Sequence, residues 1–326
     1  LAHERVAAAL NEAYDAGYIG RDILGTSFGV DVVLHWGAGA YVVGEETALI
    51  ESLEGERGMP RLKPPYFPAA VGLYGKPTIV NNVETLSNLP FIAANGSAAY
   101  TAIGTETSPG TRMVAVSGHV NRPGVFEIVN GTTTFRDLIY GEDFSQGIRD
   151  GRELKAFVPG GGSAPWFIAD QLDIPFEGRE AGSAGSMLGS GAVIVMDETT
   201  DIPAAALTLT RFYAHESCGK CVPCREGGTW LMRILERVVD GRGTDADLAT
   251  IYEVGESICP GAMPHASSER LGLDAVPFPY KMTTICFVGP SAYVPVHSAM
   301  TLFPEEFQER VARREVRTRI PVTAAA

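Results

Sequence analysis

What the chain has little of narrows it first. Only five of its 326 residues are cysteine. An odd count in so long a chain fits poorly with a disulfide framework, which belongs to short secreted domains with paired cysteines. No apolar run approaches the ~20 residues that a membrane-spanning helix needs, and the start carries no secretory leader pattern. Basic residues are scarce: 26 Lys and Arg against 39 Asp and Glu leave a net charge of −13. That sign argues against a nucleic-acid partner, because neutralising phosphates takes a basic surface. No internal repeat is visible. Hydrophobic content of 45% and charged content of 20% are ordinary for a globular chain, and the length suggests two or three domains in a reducing compartment. The chain opens on Leu1 and runs at once into a helical Ala2 to Leu10, which suggests a piece of a longer protein.

The scarce cysteines are concentrated. Cys218, Cys221 and Cys224 stand in Glu-Ser-Cys-Gly-Lys-Cys-Val-Pro-Cys-Arg at 216–225. Two successive two-residue gaps let one loop fold around a polynuclear iron site, each sulfur reaching a different iron. A structural zinc site is the rival reading, with His215 or His265 completing it, but zinc sites usually draw on two separated ligand pairs. Cys259 and Cys286 compete to be the fourth ligand. Trp230, Leu231, Ile234, Leu235 and Val238 repeat at helical spacing. Cys224 therefore falls at or just before a helix N-terminus, where unpaired N–H groups favour thiolates. Lys220 and Arg225 flank the loop with positive charge.

Elsewhere, residues 1–20 read as one amphipathic helix ended by Gly20, and Asp31 to Trp36 as a short buried strand. Glycines at 37, 39 and 44 surround Tyr41-Val42-Val43, with a helix starting near Glu45, an arrangement that can present N–H groups to phosphate. A proline-rich connection over 59–78 displays Tyr66 and Phe67. Asn81 and Asn82 either contact a ligand or cap the next helix. A composition turn near 95–111 marks a boundary. Met113–Gly118 and Gly124–Ile128 read as a hairpin-like pair, in a small α+β part that ends near residue 198. Pro159 to Ser163 is a glycine turn with no need of a phosphate. Helices are expected over 202–213, 229–239, 245–258 and 304–317, with a frayed tail from 318.

Taken with Gly37 to Leu49, Arg61-Leu62-Lys63-Pro64-Pro65, Ile79 to Leu86 and Met187 to Gly191, the cysteine motif closely resembles one family. It is the NADH-binding flavoprotein subunit of respiratory complex I, NADH:quinone oxidoreductase. Subunits of NAD-linked hydrogenases and formate dehydrogenases share these motifs. The resemblance implies an α/β, then α+β, then α chain. Residues 1–110 would be the remainder of a Rossmann-like FMN/NADH domain, 111–198 a ubiquitin-like β-grasp (SLBB-type) domain, and 199–326 a helical bundle holding a 4Fe–4S cluster. It implies that Tyr41, Gly44, Glu45 and Glu46 line the flavin cavity. Val80, Asn81, Asn82 and Thr85 would contact FMN. Glu45 and Phe67, or Tyr66 if the register slips, would meet NADH.

The family's glycine-rich phosphate loop lies upstream of anything in this chain. The family's later cysteine stands in a context like Thr284-Ile285-Cys286-Phe287-Val288-Gly289, followed by Val294-Pro295-Val296. That favours Cys286 over Cys259 as fourth ligand, with an insertion over about 260–282 lengthening a loop at little thermodynamic cost. The implied chemistry passes a hydride from NADH to FMN and single electrons to the cluster, toward quinone. A component of a soluble hydrogenase or formate dehydrogenase, and a non-catalytic iron–sulfur or zinc protein, are the alternatives. Implied partners are the other peripheral-arm subunits, including a thioredoxin-like 2Fe–2S subunit and a larger iron–sulfur subunit. The implied place is the cytoplasmic face of a bacterial membrane, without direct insertion.

Overall fold

The computed structural model describes residues 1–260 and 281–318, with side chains through 312. The chain divides into two compact units after Thr78.

In the first unit, helix α1 spans Ala2–Asp15, shorter than the 1–20 expected. Gly17 takes a left-handed φ of 71°, and Tyr18 N–H donates to Ala13 O at 2.9 Å while Gly17 N–H donates to Tyr14 O at 3.0 Å. This pairing satisfies the last carbonyls and stops the helix. The strand expected over Asp31–Trp36 does not form. Val33 and Trp36 are 86% and 71% exposed, and Val32 N–H goes to the Tyr14 hydroxyl at 2.9 Å. A strand needs a neighbour to complete its ladder; here only Gly20 and Val30 bridge. The described residues of this unit contain no strand, so they form no Rossmann-like sheet. A single helical turn over Tyr41–Gly44 leads into α2, Glu46–Leu53.

The second unit opens with α3 (Val83–Asn95) and α4 (Ser97–Thr101). The Asn82 side chain accepts from Glu84 N–H at 2.7 Å and so caps α3. Next come β1 (Thr111–Gly118), β2 (Gly124–Val129), α5 (Phe135–Tyr140), β3 (Leu154–Val158), α6 (Gly178–Ser183) and β4 (Ala192–Asp197). The sheet order is β2-β1-β4-β3. β1 pairs antiparallel with β2 and parallel with β4, and β3 pairs antiparallel with β4. The hairpin read from 113–128 is thus formed. Alternate residues of β1 and β2 point inward, where Val114, Val116, Phe126 and Ile128 join Phe135, Phe157 and Phe176 in one core. The glycine turn at 159–163 is a packing element. A Cβ on Gly160 would meet the Leu188 backbone at 2.3 Å, and one on Gly189 the Gly160 carbonyl at 2.1 Å.

A helical bundle follows: α7 (Ile202–Glu216), α8 (Val222–Val239), α9 (Asp245–Ile258), α10 (Val288–Leu302) and α11 (Pro304–Thr318). α8 begins seven residues before the expected Thr229, and α9 has the expected bounds. α10 is an addition to the expected helices, because Pro295 interrupts its pattern. Burial of every residue from Val288 to Met300 overrides that local cost. The bundle core joins Leu231, Leu235, Ile251, Ile258, Tyr293 and Val296. The stretch read as Pro- and Gly-rich after Cys259, with the expected insertion and His265, falls mainly outside the described residues, as does the tail from 319.

α9 and α10 touch through a glycine. A Cβ at Gly255 would lie 2.0 Å from the ring of Tyr293, which is fully buried. In an exposed helix Gly→Ala stabilises by about 1 kcal/mol. Gly255→Ala is expected to do the reverse, costing about 1–3 kcal/mol through overpacking. Gly182→Ala in α6, where a Cβ meets nothing within 4 Å, should be neutral or stabilising. Denaturant unfolding of both variants checks this.

Candidate metal centre and cofactor residues

The cysteine loop is framed by two helix ends. α7 closes with Ser217 N–H donating to Tyr213 O at 3.1 Å. Gly219, at φ 84°, turns the chain in a conformation that a side chain would strain. Cys221 is the N-cap of α8 and Pro223 sits in its first turn, where a missing N–H costs nothing. Cys224 therefore lies inside the first turn of α8 and is buried. Arg225 folds back over the loop, its guanidinium donating to Gly219 O at 2.7 Å; Lys220 is exposed.

The second segment arrives from far along the chain. Ile285 N–H donates to Cys221 Sγ at 3.3 Å, across 64 positions. Thr283 pins this segment to the end of α9: its N–H and hydroxyl both donate to Ile258 O at 3.1 Å, and the hydroxyl also reaches Ser257 O at 2.7 Å. Thr284 Oγ1 donates to Cys286 O at 2.8 Å. Cys286 follows just before α10 and is half-buried.

Cys224 and Cys286 both feel the charges of Cys218 and Cys221. Burial pushes the Cys286 thiol up to about 11, with the Val288 N–H opposing and the charges of Cys218, Cys224 and Cys221 adding to the rise. Burial likewise raises Cys224, against a hydrogen bond from Ser217, with Cys218 and Cys221 adding to it. Cys259 stands apart at the C-terminus of α9. It is wholly buried in the apolar core of the bundle, and burial, with Glu256, pushes its thiol up to about 12. None of the other four thiols contributes to that rise.

Among the described residues, no three or more His, Cys, Asp or Glu side chains close around a point that one metal ion could occupy. His215, at the end of α7, is exposed. An all-sulfur donor set suits a thiophilic centre. One sulfur, that of Cys221, receives a hydrogen bond from Ile285 N–H, and the Ser217 hydroxyl lies 3.3 Å from the Cys224 sulfur. The residues present fit an iron–sulfur cluster, in which each sulfur binds its own iron.

The first unit places Tyr41 and Gly44 in the helical turn before α2, with Tyr41 partly exposed. Glu45 is the N-cap of α2, accepting from Thr47 N–H and Ala48 N–H, both at 3.0 Å. Its other oxygen accepts from Lys63 Nζ at 2.7 Å, and Lys63 also bridges to Glu46. Burial raises the Glu45 carboxyl, but Lys63, Thr47 and the Ala48 N–H outweigh it and hold the group below its ordinary 4.5. Glu45 is thus an ionised carboxylate fixed by its own helix. Sequence reasoning does not single out Lys63 as a site residue; a lysine in Arg61-Leu62-Lys63-Pro64-Pro65, opposite two adjacent glutamates, is the available signal. Arg61 makes a second cluster with Glu51 and Glu54. Phe67 and Tyr66 are 51% and 45% exposed on the proline-rich connection.

The second unit holds Val80, Asn81, Asn82 and Thr85 at the start of α3, all exposed. Asn82 is the helix cap, so the capping alternative is realised for it.

Two family models match this chain. One, described as the NADH-ubiquinone oxidoreductase-F iron-sulfur binding region, covers residues 204–266, and the other, described as the Nuo51 FMN-binding domain, covers residues 1–91. The F-type subunit of NADH-quinone oxidoreductase from Mycobacterium tuberculosis (strain ATCC 25618 / H37Rv) is 44% identical over 307 residues, 94% of this chain and 63% of that protein. That of Streptomyces coelicolor is 42% identical over 310 residues, 95% and 63%. The chain therefore spans under two thirds of the length of these relatives. The second F-type protein of Rhizobium meliloti (strain 1021) is 40% identical over 310 residues, 95% of this chain and 68% of that protein. Among solved structures, an NAD+-reducing NiFe-hydrogenase in its air-oxidized state matches at 34% identity with a TM-score of 0.69, over 84% of this chain and 42% of that one. The H2-reduced state matches at 32% and 0.70, over 89% and 48%. With family matches over residues 1–91 and 204–266, and a relative at 40% identity of which it covers 68%, the chain belongs to the F-type family of NADH-quinone oxidoreductase subunits.

Proposed function

We propose that the chain serves NADH oxidation in an NADH:quinone oxidoreductase, with Cys218, Cys221, Cys224 and Cys286 holding a 4Fe–4S cluster. The observation that carries this reading is the Ile285 N–H on Cys221 Sγ at 3.3 Å, which sets Cys286 beside the triplet. When bound, FMN and the cluster supply the conversion of a two-electron hydride donor into single electrons. The chain's own residues place and bias those groups. The loop around Gly219 and the α8 N-terminus present three sulfurs, and Thr283 and Thr284 fix the backbone that presents the fourth. Burial raises the Cys224 and Cys286 thiols, so ligation there would release protons, since the thiolate is the ligand.

Tyr41, Gly44, Glu45 and Glu46 are proposed to line the flavin cavity, and Val80, Asn81, Asn82 and Thr85 to contact FMN. Glu45 and Phe67 are proposed to meet NADH. Lys63 joins this set, because it bridges Glu45 and Glu46 and offsets part of their negative charge where a nucleotide would bring more. Residues 1–110, 111–198 and 199–326 are proposed as the nucleotide, β-grasp and cluster domains. A mixed sheet with its first and last strands parallel supports the middle assignment. No described helix is long and apolar enough to cross a membrane. The proposed setting is a peripheral arm on the inner membrane face, beside a thioredoxin-like 2Fe–2S subunit and a larger iron–sulfur subunit.

A second reading has the chain serve a soluble NAD-linked hydrogenase, favoured by the 0.69 TM-score to such an enzyme. Co-purification separates the two: quinone-reactive membrane subunits accompany the first, a nickel–iron protein the second.

Two outcomes are expected. Anaerobically purified protein supplied with FMN should oxidise NADH with bleaching of the flavin absorbance and reduction of ferricyanide; bound flavin that NADH leaves unbleached would contradict the activity. Cys286→Ser should lose the cluster, read as iron and acid-labile sulfide, while Cys259→Ser keeps it. The opposite pattern would transfer the fourth ligand to Cys259.

A further inference from the structure

Ser217 precedes the first cysteine of the loop and does two things with its hydroxyl. The oxygen accepts from Gly219 N–H at 3.4 Å, and the same oxygen lies 3.3 Å from Cys224 Sγ. Its backbone N–H is committed to Tyr213 O at the end of α7, so the residue is anchored rather than swinging on a free loop. A thiol and a hydroxyl can each donate to the other. A sulfur bound to iron has lost its proton and only accepts. With Gly219 N–H occupying one acceptor position of Ser217, the hydroxyl proton is left to point at Cys224.

We propose that Ser217 is a potential-setting residue, donating a hydrogen bond from its hydroxyl to Cys224 Sγ of the cluster. The proposal rests on the reading of Cys224 as a ligand. Its physical basis is that reduction adds negative charge to the cluster, much of it on sulfur. A donor fixed on a ligand sulfur stabilises the reduced form more than the oxidised one and raises the potential. Cys224 is only 7% exposed, so water competes weakly for the same sulfur, and the surroundings strengthen the bond. Cys221 has an equivalent donor, but it is the backbone N–H of Ile285, which substitution does not remove. Ser217 supplies its donor from a side chain and is therefore open to direct test.

The test is a redox titration of the purified protein, followed by the low-temperature paramagnetic signal of the reduced cluster, for wild type, Ser217→Ala and Ser217→Thr. Iron and acid-labile sulfide are counted in each. Ser217→Ala is expected to keep its cluster and to be harder to reduce by about tenfold, a negative shift of ~59 mV for one electron. Ser217→Thr keeps a hydroxyl and should return most of that shift. A cluster-loaded Ser217→Ala with the wild-type potential would overturn the proposal. So would loss of the cluster in Ser217→Ala, which would assign the hydroxyl to folding of the loop. A wild-type protein without any cluster would instead refute the ligand reading on which the proposal stands.

Discussion

The proposed cluster needs sulfur atoms from two distant segments at one place, and the hydrogen bond from Ile285 N–H to Cys221 Sγ is where those segments meet. Everything near it serves to hold the second segment still. Thr283 ties it to the last carbonyls of α9, Thr284 closes the turn onto the Cys286 carbonyl, and α10 departs at once into the bundle core. That core is close-packed at glycines. Gly227 faces Ile258 and Gly255 faces Tyr293 at distances that leave no room for a Cβ. Bulk at either position would move α9 or α10, and with it the segment that carries Cys286.

Charge follows the same logic in both units. Burial raises the Cys224 and Cys286 thiols, and in the proposed site a metal would take the proton's place there, which couples occupancy to local order. In the first unit the pairing lies within the chain: Lys63 bridges Glu45 and Glu46, and Arg61 bridges Glu51 and Glu54, each cation offsetting part of the charge of two carboxylates. Lys63, Thr47 and the Ala48 N–H hold the Glu45 carboxyl below its ordinary value against the effect of burial. Its stabilising contribution is present above the ordinary carboxyl pKa and is lost as pH falls through its lowered value.

The parts of the architecture legible in sequence are those that local chemistry decides. The apolar spacing after Cys224 marks α8, Asp245 and Ile258 bound α9 as expected, and the turn at Asn121-Arg122-Pro123 joins a real hairpin. Misreadings arise where a partner decides. Asp31 to Trp36 has the composition of a buried strand but no ladder to join. α10 carries Pro295, which local rules count against a helix interior, yet its burial holds it. At the candidate site the cysteine triplet is plain. The nearness of Cys286 to it rests on Thr283 and Ile285, residues with no chemical signature of their own. Ser217 and Lys63 escape a sequence reading for the same reason: each matters through the group it faces across a turn or a loop, not through its spacing in the chain.

The gathered thiols are proposed to hold a polynuclear iron centre and not a single ion. X-ray absorption of the anaerobically purified protein tests it directly. An iron edge with a sulfur first shell and an iron–iron second shell is the predicted result. A zinc edge with a sulfur shell and no metal–metal vector would contradict it.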